Sequence, residues 1–339
     1  MERSGPRVTV LMSVFNDQRY LRVAIESILN QTFRDFEFLI IDDGSTEPLD
    51  DLVAACRDPR IVLIRHENMG LTRSLNRGLR SAEGTYIARM DADDVSLPTR
   101  LEIQIREFDR NPHFDLVGTF FDVVDAGGVM RERKRLITNP IYRLWRLQFH
   151  NNYGHGSIMA RKQALLDLGG YDERLVYAQD YDLWSRLSQK HNTGVIAESL
   201  YQYRLVRNSD QASVRNYDAQ LAAAIGISNR NLMACNQGLT VDDAAEVRAL
   251  YWQFQYAEVP RRGYERVGET LAGFCRRFGV EDAEKAALVA RVAQDLKERV
   301  EEARNMTAAE RQELLNLVWT DFRRLFGERL IPAESDGLS

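Results

Sequence analysis

The first third of the chain alternates short apolar runs with amphipathic stretches, and this alternation constrains the fold more than any other feature of the sequence. Val8–Val14 and Phe36–Ile41 are rich in β-branched and aliphatic residues, as is typical of strands that are buried on both faces. Between them, apolar residues recur at helical spacing from Leu21 to Leu29. Strands that alternate with helices predict an α/β fold with a Rossmann-like, mostly parallel sheet flanked by helices.

The alternation continues to about residue 121 and then changes twice. Further strands are predicted at 61–65, 86–90 and 116–121, and Asp125–Gly128 has the composition of a turn between two strands. After residue 208 the pattern becomes all-helical, with capping sequences at Thr240 and Thr307. The predicted helices span 218–236, 240–256, 260–278, 281–304 and 307–326. We therefore divide the chain into a catalytic domain, residues 1–207, and a helical carboxy-terminal region, residues 208–339.

Composition excludes several classes of protein. The net charge of −5 lacks the basic footprint of a nucleic-acid-binding protein. The three cysteines are scattered, which argues against a zinc site or a disulfide framework and fits a reducing cytosol. The sequence shows no apolar signal segment and no apolar run of membrane-spanning length. We expect a cytoplasmic protein, either soluble or peripheral at the inner face of the membrane.

Polar residues collect where the predicted strands end, at Asn16–Asp17, Asp42–Asp43 and Asp91–Asp94. Ligands of open parallel sheets bind outside the carboxyl ends of the strands. Asp91 and Asp93 would project to the same side of an extended chain, and paired carboxylates suit Mg²⁺ or Mn²⁺ with phosphate oxygens completing the shell. The alternative is a polar turn after an edge strand. The chain contains neither GxGxxG nor GxxxxGK[ST], which argues against a dinucleotide dehydrogenase and a P-loop ATPase.

Eight blocks of sequence, in order and with sensible spacing, resemble the family 2 glycosyltransferases, which have the GT-A fold. The resemblance covers roughly residues 8–206. The blocks are Val8–Asn16, Ser27–Thr32, Ile41–Ser45, Asn68–Leu71, Ser74–Gly78, Asp91–Asp94 (the DxD motif), Gly169–Asp172 and Gln179–Trp184.

The resemblance implies an inverting transferase that uses a nucleotide-sugar, most simply a UDP-sugar, and a role for each matching residue. Asp93 would ligate the metal directly, Asp91 would contact the ribose or support the metal, and Asp180 would be the general base. Asp43 would accept a hydrogen bond from uracil N3–H. The remaining donor-binding residues would be Val14, Phe15, Asn16, Arg73 and Ala92.

The chemistry of such a transfer fits these residue types. A divalent cation offsets the charge that develops on the leaving diphosphate. A carboxylate takes the proton of the acceptor hydroxyl as the new bond forms, and one carboxylate is enough for a single inverting displacement. A glycan or a lipid-linked acceptor, used in the synthesis of a surface polysaccharide, is the expectation at the level of the family.

Several residues have structural alternatives. Asp43 can cap a turn, and Asp180 can be a helix N-cap. Trp184 lies on the apolar side of a predicted helix and is expected in the core, whereas His155 in its Gly-flanked turn suits either structure or substrate contact. Many relatives carry a histidine where this chain has Val206, and Arg204 and Arg207 are the candidates to supply positive charge to the diphosphate instead.

Two other functions stay open at the level of sequence. One is a sugar-nucleotide nucleotidyltransferase, although Val14–Asp17 lacks the Gly-rich basic loop that such enzymes use. The other is a catalytically silent scaffold that binds nucleotide. The carboxy-terminal helices can cover the acceptor, form a homo-oligomer or hold a partner, and the pairs Arg261–Arg262 and Arg276–Arg277 either face solvent or touch a membrane surface.

Overall fold

The computed structural model describes residues 5–205, 216–251, 261–303 and 306–327. The chain separates into two compact units. The first unit runs to Thr138 and resumes over Asn151–Ala223, and the second comprises Asn139–His150 and the chain from Ala224 onward. A segment of twelve residues in the middle of the sequence, 139–150, therefore belongs to the helical unit.

The first unit contains a mixed sheet with helices on both faces. Its strands are β1 (Val8–Val14), β2 (Phe36–Asp42), β3 (Ile61–Arg65), β4 (Tyr86–Met90), β5 (Val95–Ser96), β6 (Phe114–Val124), β7 (Met130–Lys134), β8 (Met159–Arg161) and β9 (Asn192–Arg204). Its helices are α1 (Leu21–Leu29), α2 (Asp50–Cys56), α3 (Leu71–Ser81), α4 (Arg100–Arg110), α6 (Lys162–Asp167) and α7 (Gln179–Leu187).

The strand order is β3-β2-β1-β4-β8-β6-β9-β5, with β7 paired to β6. Strands β1 to β4 are parallel to one another, and β6 is parallel to β9. β8 runs antiparallel to both of its neighbours. The predicted α/β fold is confirmed, and the antiparallel strands β5, β7 and β8 make the sheet mixed. Because β1 pairs with β2 on one side and with β4 on the other, the order reverses there, and a crevice is expected outside the carboxyl ends of β1 and β4.

Alternate side chains of the central strands pack on opposite faces of the sheet, which explains the continuous apolar runs. Val10 and Met12 of β1 pack in one core with α1 and α4, whereas Leu11 packs in a second core with α3, α6 and α7. Burial of both faces fixes the register, since a slip of one residue would exchange the two sets of side chains.

The second unit is helical and has an aromatic centre. Its helices are α5 (Pro140–Leu147), most of α8 (Tyr217–Cys235), α9 (Val241–Ala249), α10 (Arg261–Phe278), α11 (Asp282–Glu302) and α12 (Ala308–Phe326). Trp145 donates its indole N–H to the Tyr251 hydroxyl at 3.0 Å and packs edge-on against Phe274. Both predicted capping sequences form reciprocal capping boxes, at Thr240 and Thr307. Helix α5 was not predicted.

Burial of the sheet predicts unequal costs for one substitution at two sites. Val10→Ala removes a side chain that is 0% exposed, whereas Val62→Ala removes one that is 40% exposed. We expect the first to lower the free energy of unfolding by about 2 kcal/mol and the second by less than about 0.5 kcal/mol. Urea denaturation of both variants measures the difference, and equal midpoints would contradict the two-faced core.

Candidate active site

The carboxyl end of β4 carries a cluster of carboxylates, and a buried arginine of the same strand donates a hydrogen bond to one of them. Arg89 is 1% exposed and donates from Nη2 to an oxygen of Asp91. The Asp91 backbone N–H donates to the Tyr201 hydroxyl at 3.2 Å. Asp91 and Asp93 remain partly exposed at the strand end, and Ala92 between them is buried. The predicted DxD carboxylates therefore lie at the crevice with their backbone fixed.

Asp94 has a different environment from its two neighbours, because it is 1% exposed. Its carboxylate accepts hydrogen bonds from the Tyr201 hydroxyl at 2.7 Å and from the Arg204 backbone N–H at 2.7 Å. Burial, followed by the charges of Asp91 and Asp93, raises the pKa of Asp94 well above its ordinary value. Asp94 thus joins the strand end to β9 and is directed away from solvent.

Arg204 is a structural residue of the same loop. Its Nε donates to the Asp93 carbonyl at 2.8 Å, and its Nη1 donates to the Asp125 carbonyl at 3.0 Å. The guanidinium packs 4.4 Å from the centre of the Tyr20 ring. These bonds give Arg204 a role in holding Asp93, and the suggestion that it supplies charge to a diphosphate stays a prediction. Positions 206 and 207, the other part of that suggestion, lie outside the described residues.

A second buried arginine lies behind the first. Arg100 donates from Nη2 to the carbonyls of Arg89 and Ile158, at 2.8 and 3.0 Å, and from Nε to Gln104 at 3.1 Å. Burial lowers the pKa of Arg100 to about 10, with the Arg89 charge acting in the same direction. Two buried guanidinium groups therefore lie near the carboxylates at the end of β4. The attraction between the guanidinium groups and the carboxylates offsets much of the free-energy cost of burying the positive and the negative charges.

The loop after β1 borders the same crevice. Val14 ends the strand and accepts the Asp43 backbone N–H at 2.8 Å. Asn16 has a left-handed backbone (φ 52°), and its N–H donates to the Ser45 hydroxyl oxygen at 3.1 Å. Phe15 is 50% exposed, so an aromatic face is presented to solvent. Asp17 is half-buried, and burial together with Asp91 raises its pKa, which places these two carboxylates near each other.

Asp43 organises the loop between β3 and α3. Its carboxylate accepts the backbone N–H groups of Met69 and Gly70, at 2.8 and 3.0 Å, and the Asn68 side-chain amide at 3.2 Å. The residue is 2% exposed. His66 Nε2 lies 3.3 Å from the same carboxylate. The Asp43 carboxylate therefore accepts backbone N–H groups just before α3 begins. This is the capping role that the sequence offered as an alternative, but it serves α3 and not α2, the helix that follows Asp43 in sequence.

This loop lines a cavity of about 560 Å³ formed by Gly44, Arg65, His66, Glu67 and Asn68. Gly44 has φ 77°, and a Cβ there would lie 2.6 Å from the Asn68 backbone nitrogen, so glycine is required. The cavity lies at the carboxyl ends of β2 and β3, beside Asp43. Arg73, on the first turn of α3, is 58% exposed and lies 3.6 Å from Glu173.

Asp180 lies in the first turn of α7, whose N-cap is Ala178 in a left-handed conformation (φ 54°). The N-cap alternative for Asp180 is therefore wrong. Its carboxylate accepts a hydrogen bond from Asn151 Nδ2 at 2.7 Å. Burial raises the pKa of Asp180 to about 6, and the Asp91 charge acts in the same direction, whereas the Tyr181 backbone N–H and Asn151 oppose them. A carboxyl with such a pKa suits a general base near neutral pH.

A buried aromatic group supports α7. Trp184 is 0% exposed, which confirms its placement in the core. His155 lies in a one-turn 3-10 helix (His155–Ser157), and its Nε2 lies 2.9 Å from the Tyr171 hydroxyl. Burial, with Arg89 adding to it, lowers the pKa of His155 well below its ordinary value, so the ring is neutral. His155 therefore packs against Tyr171, and its contact with a substrate stays a prediction.

Across residues 5–205 and the described parts of the helical unit, no group of three or more His, Cys, Asp or Glu side chains is arranged to hold a metal ion. Asp91 and Asp93 alone would supply one or two carboxylate ligands. That number is typical of sites where Mg²⁺ or Mn²⁺ is completed by substrate phosphates and water.

Three residues of this region escaped the sequence-based prediction: Arg89, Asn151 and Tyr201. Arg89 had a detectable signal, since a charged residue stands inside a strand that is otherwise apolar. Asn151 and Tyr201 lie 29 and 110 positions from the residues they bind. No local pattern in a single sequence reveals contacts over such separations.

Known proteins resemble this chain in sequence and in fold. Residues 9–168 match the model of "Glycosyl transferase family 2". The putative glycosyltransferase EpsE of Bacillus subtilis is 36% identical over 66% of this chain and 81% of its own length. The O-antigen biosynthesis glycosyltransferase WbnJ of Escherichia coli is 34% identical over 62% of this chain and 84% of its own length. The S. aureus TarS fragment 1–349, solved with UDP-GlcNAc, superimposes with a TM-score of 0.55 at 15% identity, covering 95% of this chain and 91% of that one.

The hydrogen bond from the Tyr201 hydroxyl predicts a loss of stability on its removal, which can be compared with the loss at a matched tyrosine. Tyr201→Phe leaves the buried Asp94 without one donor, so we expect unfolding to become easier by about 1–3 kcal/mol. Tyr153 is similarly buried, and its hydroxyl has no hydrogen-bond partner among the described residues, so Tyr153→Phe should change stability by less than about 0.5 kcal/mol. Thermal and urea unfolding distinguish the two; an equal loss for both would remove the role assigned to the Tyr201–Asp94 bond.

Proposed function

The chain belongs to glycosyl transferase family 2, and on that premise we propose that this glycosyltransferase moves a sugar from a UDP-sugar to an acceptor hydroxyl with inversion at the anomeric carbon. The observation that carries the proposal is the juxtaposition of the Asp91–Asp93 strand end with Asp180, whose ionisation responds to the charge of Asp91. Asp91 and Asp93 are suited to hold a cation at the leaving diphosphate, and Asp180 is suited to take the proton of the acceptor.

The nucleoside would occupy the cavity beside Asp43. Gly44 and Asn68 border this cavity, and the exposed ring of Phe15 offers a stacking face after the neighbouring strand β1. Under the proposal, Asp43 accepts uracil N3–H at the cavity edge while its other hydrogen bonds keep the 66–70 loop in place. A solved complex of the structural neighbour TarS contains UDP-GlcNAc, which supports a uridine nucleotide as the first donor to test.

The carboxylates at the end of β4 fit a divalent cation of the Mg²⁺ or Mn²⁺ type. Asp93 would ligate it, Asp91 would support it, and the diphosphate would complete its shell, since hard cations prefer carboxylate and phosphate oxygens. Such a cation, when bound, would offset the charge that develops on the departing UDP. Arg204 holds the Asp93 backbone in place for this purpose, and Arg73 is a candidate phosphate contact on the exposed side of α3.

Asp180 would accept the proton of the acceptor hydroxyl. As the acceptor oxygen bonds to the anomeric carbon, the bond from that carbon to the UDP oxygen breaks, and the hydroxyl proton passes to the Asp180 carboxylate. A single displacement of this kind inverts the anomeric centre and needs no second carboxylate as nucleophile.

The acceptor class follows from the relatives. WbnJ is described as acting in O-antigen biosynthesis and AmsE of Erwinia amylovora in amylovoran biosynthesis, so we propose a glycan or lipid-linked acceptor in the synthesis of a surface polysaccharide. None of the helices in the described ranges has the length and apolarity needed to cross a bilayer. The sequence-based division at residue 207 becomes part of the proposal: catalysis in the first domain, and an acceptor, oligomer or partner role for the helices. The relatives are described as glycosyltransferases, which favours neither the nucleotidyltransferase nor the silent scaffold.

Donor binding gives the first prediction of the proposed function. UDP with Mn²⁺ should raise the melting temperature of the protein, because a ligand at 100 times its Kd stabilises the folded state by about 2.7 kcal/mol. We expect Asp93→Ala to lose the metal-dependent part of the shift, whereas Asp167→Ala, at an exposed carboxylate on α6, keeps it. A thermal-shift panel of UDP, GDP, dTDP and CDP with Mn²⁺, Mg²⁺ or EDTA makes the comparison.

A shift that is equally large in EDTA would contradict the metal role of Asp93. A shift confined to another nucleotide would keep the transferase and replace the donor. No shift with any nucleotide would favour a structural role for the carboxylates.

The pKa of Asp180 predicts the acid side of the pH–rate profile. The base must be ionised, so kcat/KM should rise with pH through about 6 and fall at lower pH. Asp180→Asn should reduce turnover by a factor of roughly 10² to 10⁴ at pH values above about 6, where the wild-type base is ionised, and Asp167→Asn should leave it unchanged. UDP release over pH 5–8 measures both, and full activity of the Asp180→Asn variant would end the assignment of the base.

A further inference from the structure

Asn151 contacts the proposed base directly, although neither a motif nor a helical pattern distinguishes it in the sequence. Its Nδ2 donates to Asp180 Oδ2 at 2.7 Å, and its Oδ1 accepts the Tyr153 backbone N–H at 3.1 Å. The two bonds define the orientation of the amide, because the carbonyl oxygen must face the N–H and the amino group must then face the carboxylate.

Rigid structure supports both partners of this bond. Asn151 begins a short loop in which Tyr153 is 5% exposed and Gly154 lies so close to Phe121 that a Cβ would be 2.8 Å from its ring. The loop continues into the 3-10 turn, where the Ser157 N–H donates to the Gly154 carbonyl at 3.0 Å. On the other side, α7 is anchored by the fully buried Trp184. The distance from amide to carboxylate is therefore set by packing on both sides.

The charged and titratable groups around Asp180 act in opposite directions. Asp91, from the end of β4, disfavours the ionised carboxylate, and burial does so more strongly. Tyr171, from the loop before α7, interacts with the Asp180 charge as a neutral phenol. The backbone N–H groups of Asp180 and Tyr181 favour the ionised form, as does the Asn151 amide. Among these groups, Asn151 is the neutral side chain that donates to the carboxylate.

We propose that Asn151 is a positioning residue for sugar transfer: its amide, placed against the carboxylate, holds Asp180 in the ionised state that receives the acceptor proton. The inference rests on the proposed function, in which Asp180 is the base. A charge-assisted hydrogen bond of this kind stabilises the carboxylate more than the carboxylic acid. Asn151 does not touch the reacting atoms, and its effect passes through Asp180.

The test is the pH–rate profile of UDP release from UDP-GlcNAc by Asn151 variants. Asn151→Ala should move the acid limb to higher pH by about 1 unit. The loss of one donor destabilises the ionised carboxylate by on the order of 1.4 kcal/mol, which corresponds to one pKa unit. Asn151→Asp keeps the shape and should move the limb further, because two adjacent carboxylates share a proton. Activity of Asn151→Ala should approach that of the wild type at pH 8. Asn111→Ala, which removes a 2.8 Å amide-to-carboxylate bond on α4, should leave the profile unchanged.

A purely structural role would lower the rate by the same factor at every pH, and that result would overturn the inference. A second measurement needs no donor: the ¹³Cγ resonance of Asp180, identified by its loss in Asp180→Asn, should titrate at higher pH in Asn151→Ala than in the wild type. An unchanged midpoint, with Asp180→Asn inactive, refutes Asn151 alone and leaves the proposed function standing. Full activity of Asp180→Asn refutes both, because no base then remains to be positioned.

Discussion

The site depends on the compensation of negative charge at the end of β4. Asp91, Asp93 and Asp94 follow one another within four residues, and carboxylates gathered in this way repel one another unless cations and donors are supplied. Arg89 supplies the cation from within the strand itself. Tyr201 and Arg204 of β9 supply the donors. Because these donors lie more than 100 positions away in sequence, the acidic strand end acquires its hydrogen bonds only when β9 has joined the sheet.

Asp91 interacts electrostatically with two other carboxylates of the site. Its charge raises the pKa of Asp17 on one side and that of Asp180 on the other. Under the proposed function, a cation and diphosphate bound at Asp91 and Asp93 would offset that charge, and the ionised form of Asp180 would become more favourable. Donor binding would then prepare the base for the acceptor. The Asn151 amide also favours the ionised form of Asp180.

The sequence was informative where local chemistry decides structure. Strands β1, β2 and β4 are buried on both faces, so their apolar runs are nearly continuous, and the carboxylates that follow them stand out by contrast. The capping boxes at Thr240 and Thr307 are likewise complete within four residues. The antiparallel insertion of β8, the inclusion of residues 139–150 in the helical unit and the role of Arg204 depend on long-range packing. Asp43 shows the limit most clearly, since the motif marks it for the nucleobase, while its hydrogen bonds to Met69 and Gly70 become visible only in three dimensions.

The central claim is that the end of β4 holds a metal-bound nucleoside diphosphate. Crystals grown with UDP and Mn²⁺, measured at the manganese absorption edge, test it most directly. The account predicts one anomalous peak within coordination distance of an Asp93 carboxylate oxygen and of the diphosphate, with uracil in the cavity beside Gly44 and Asn68. UDP bound with its diphosphate away from Asp93, or a manganese peak elsewhere on the molecule, would contradict it.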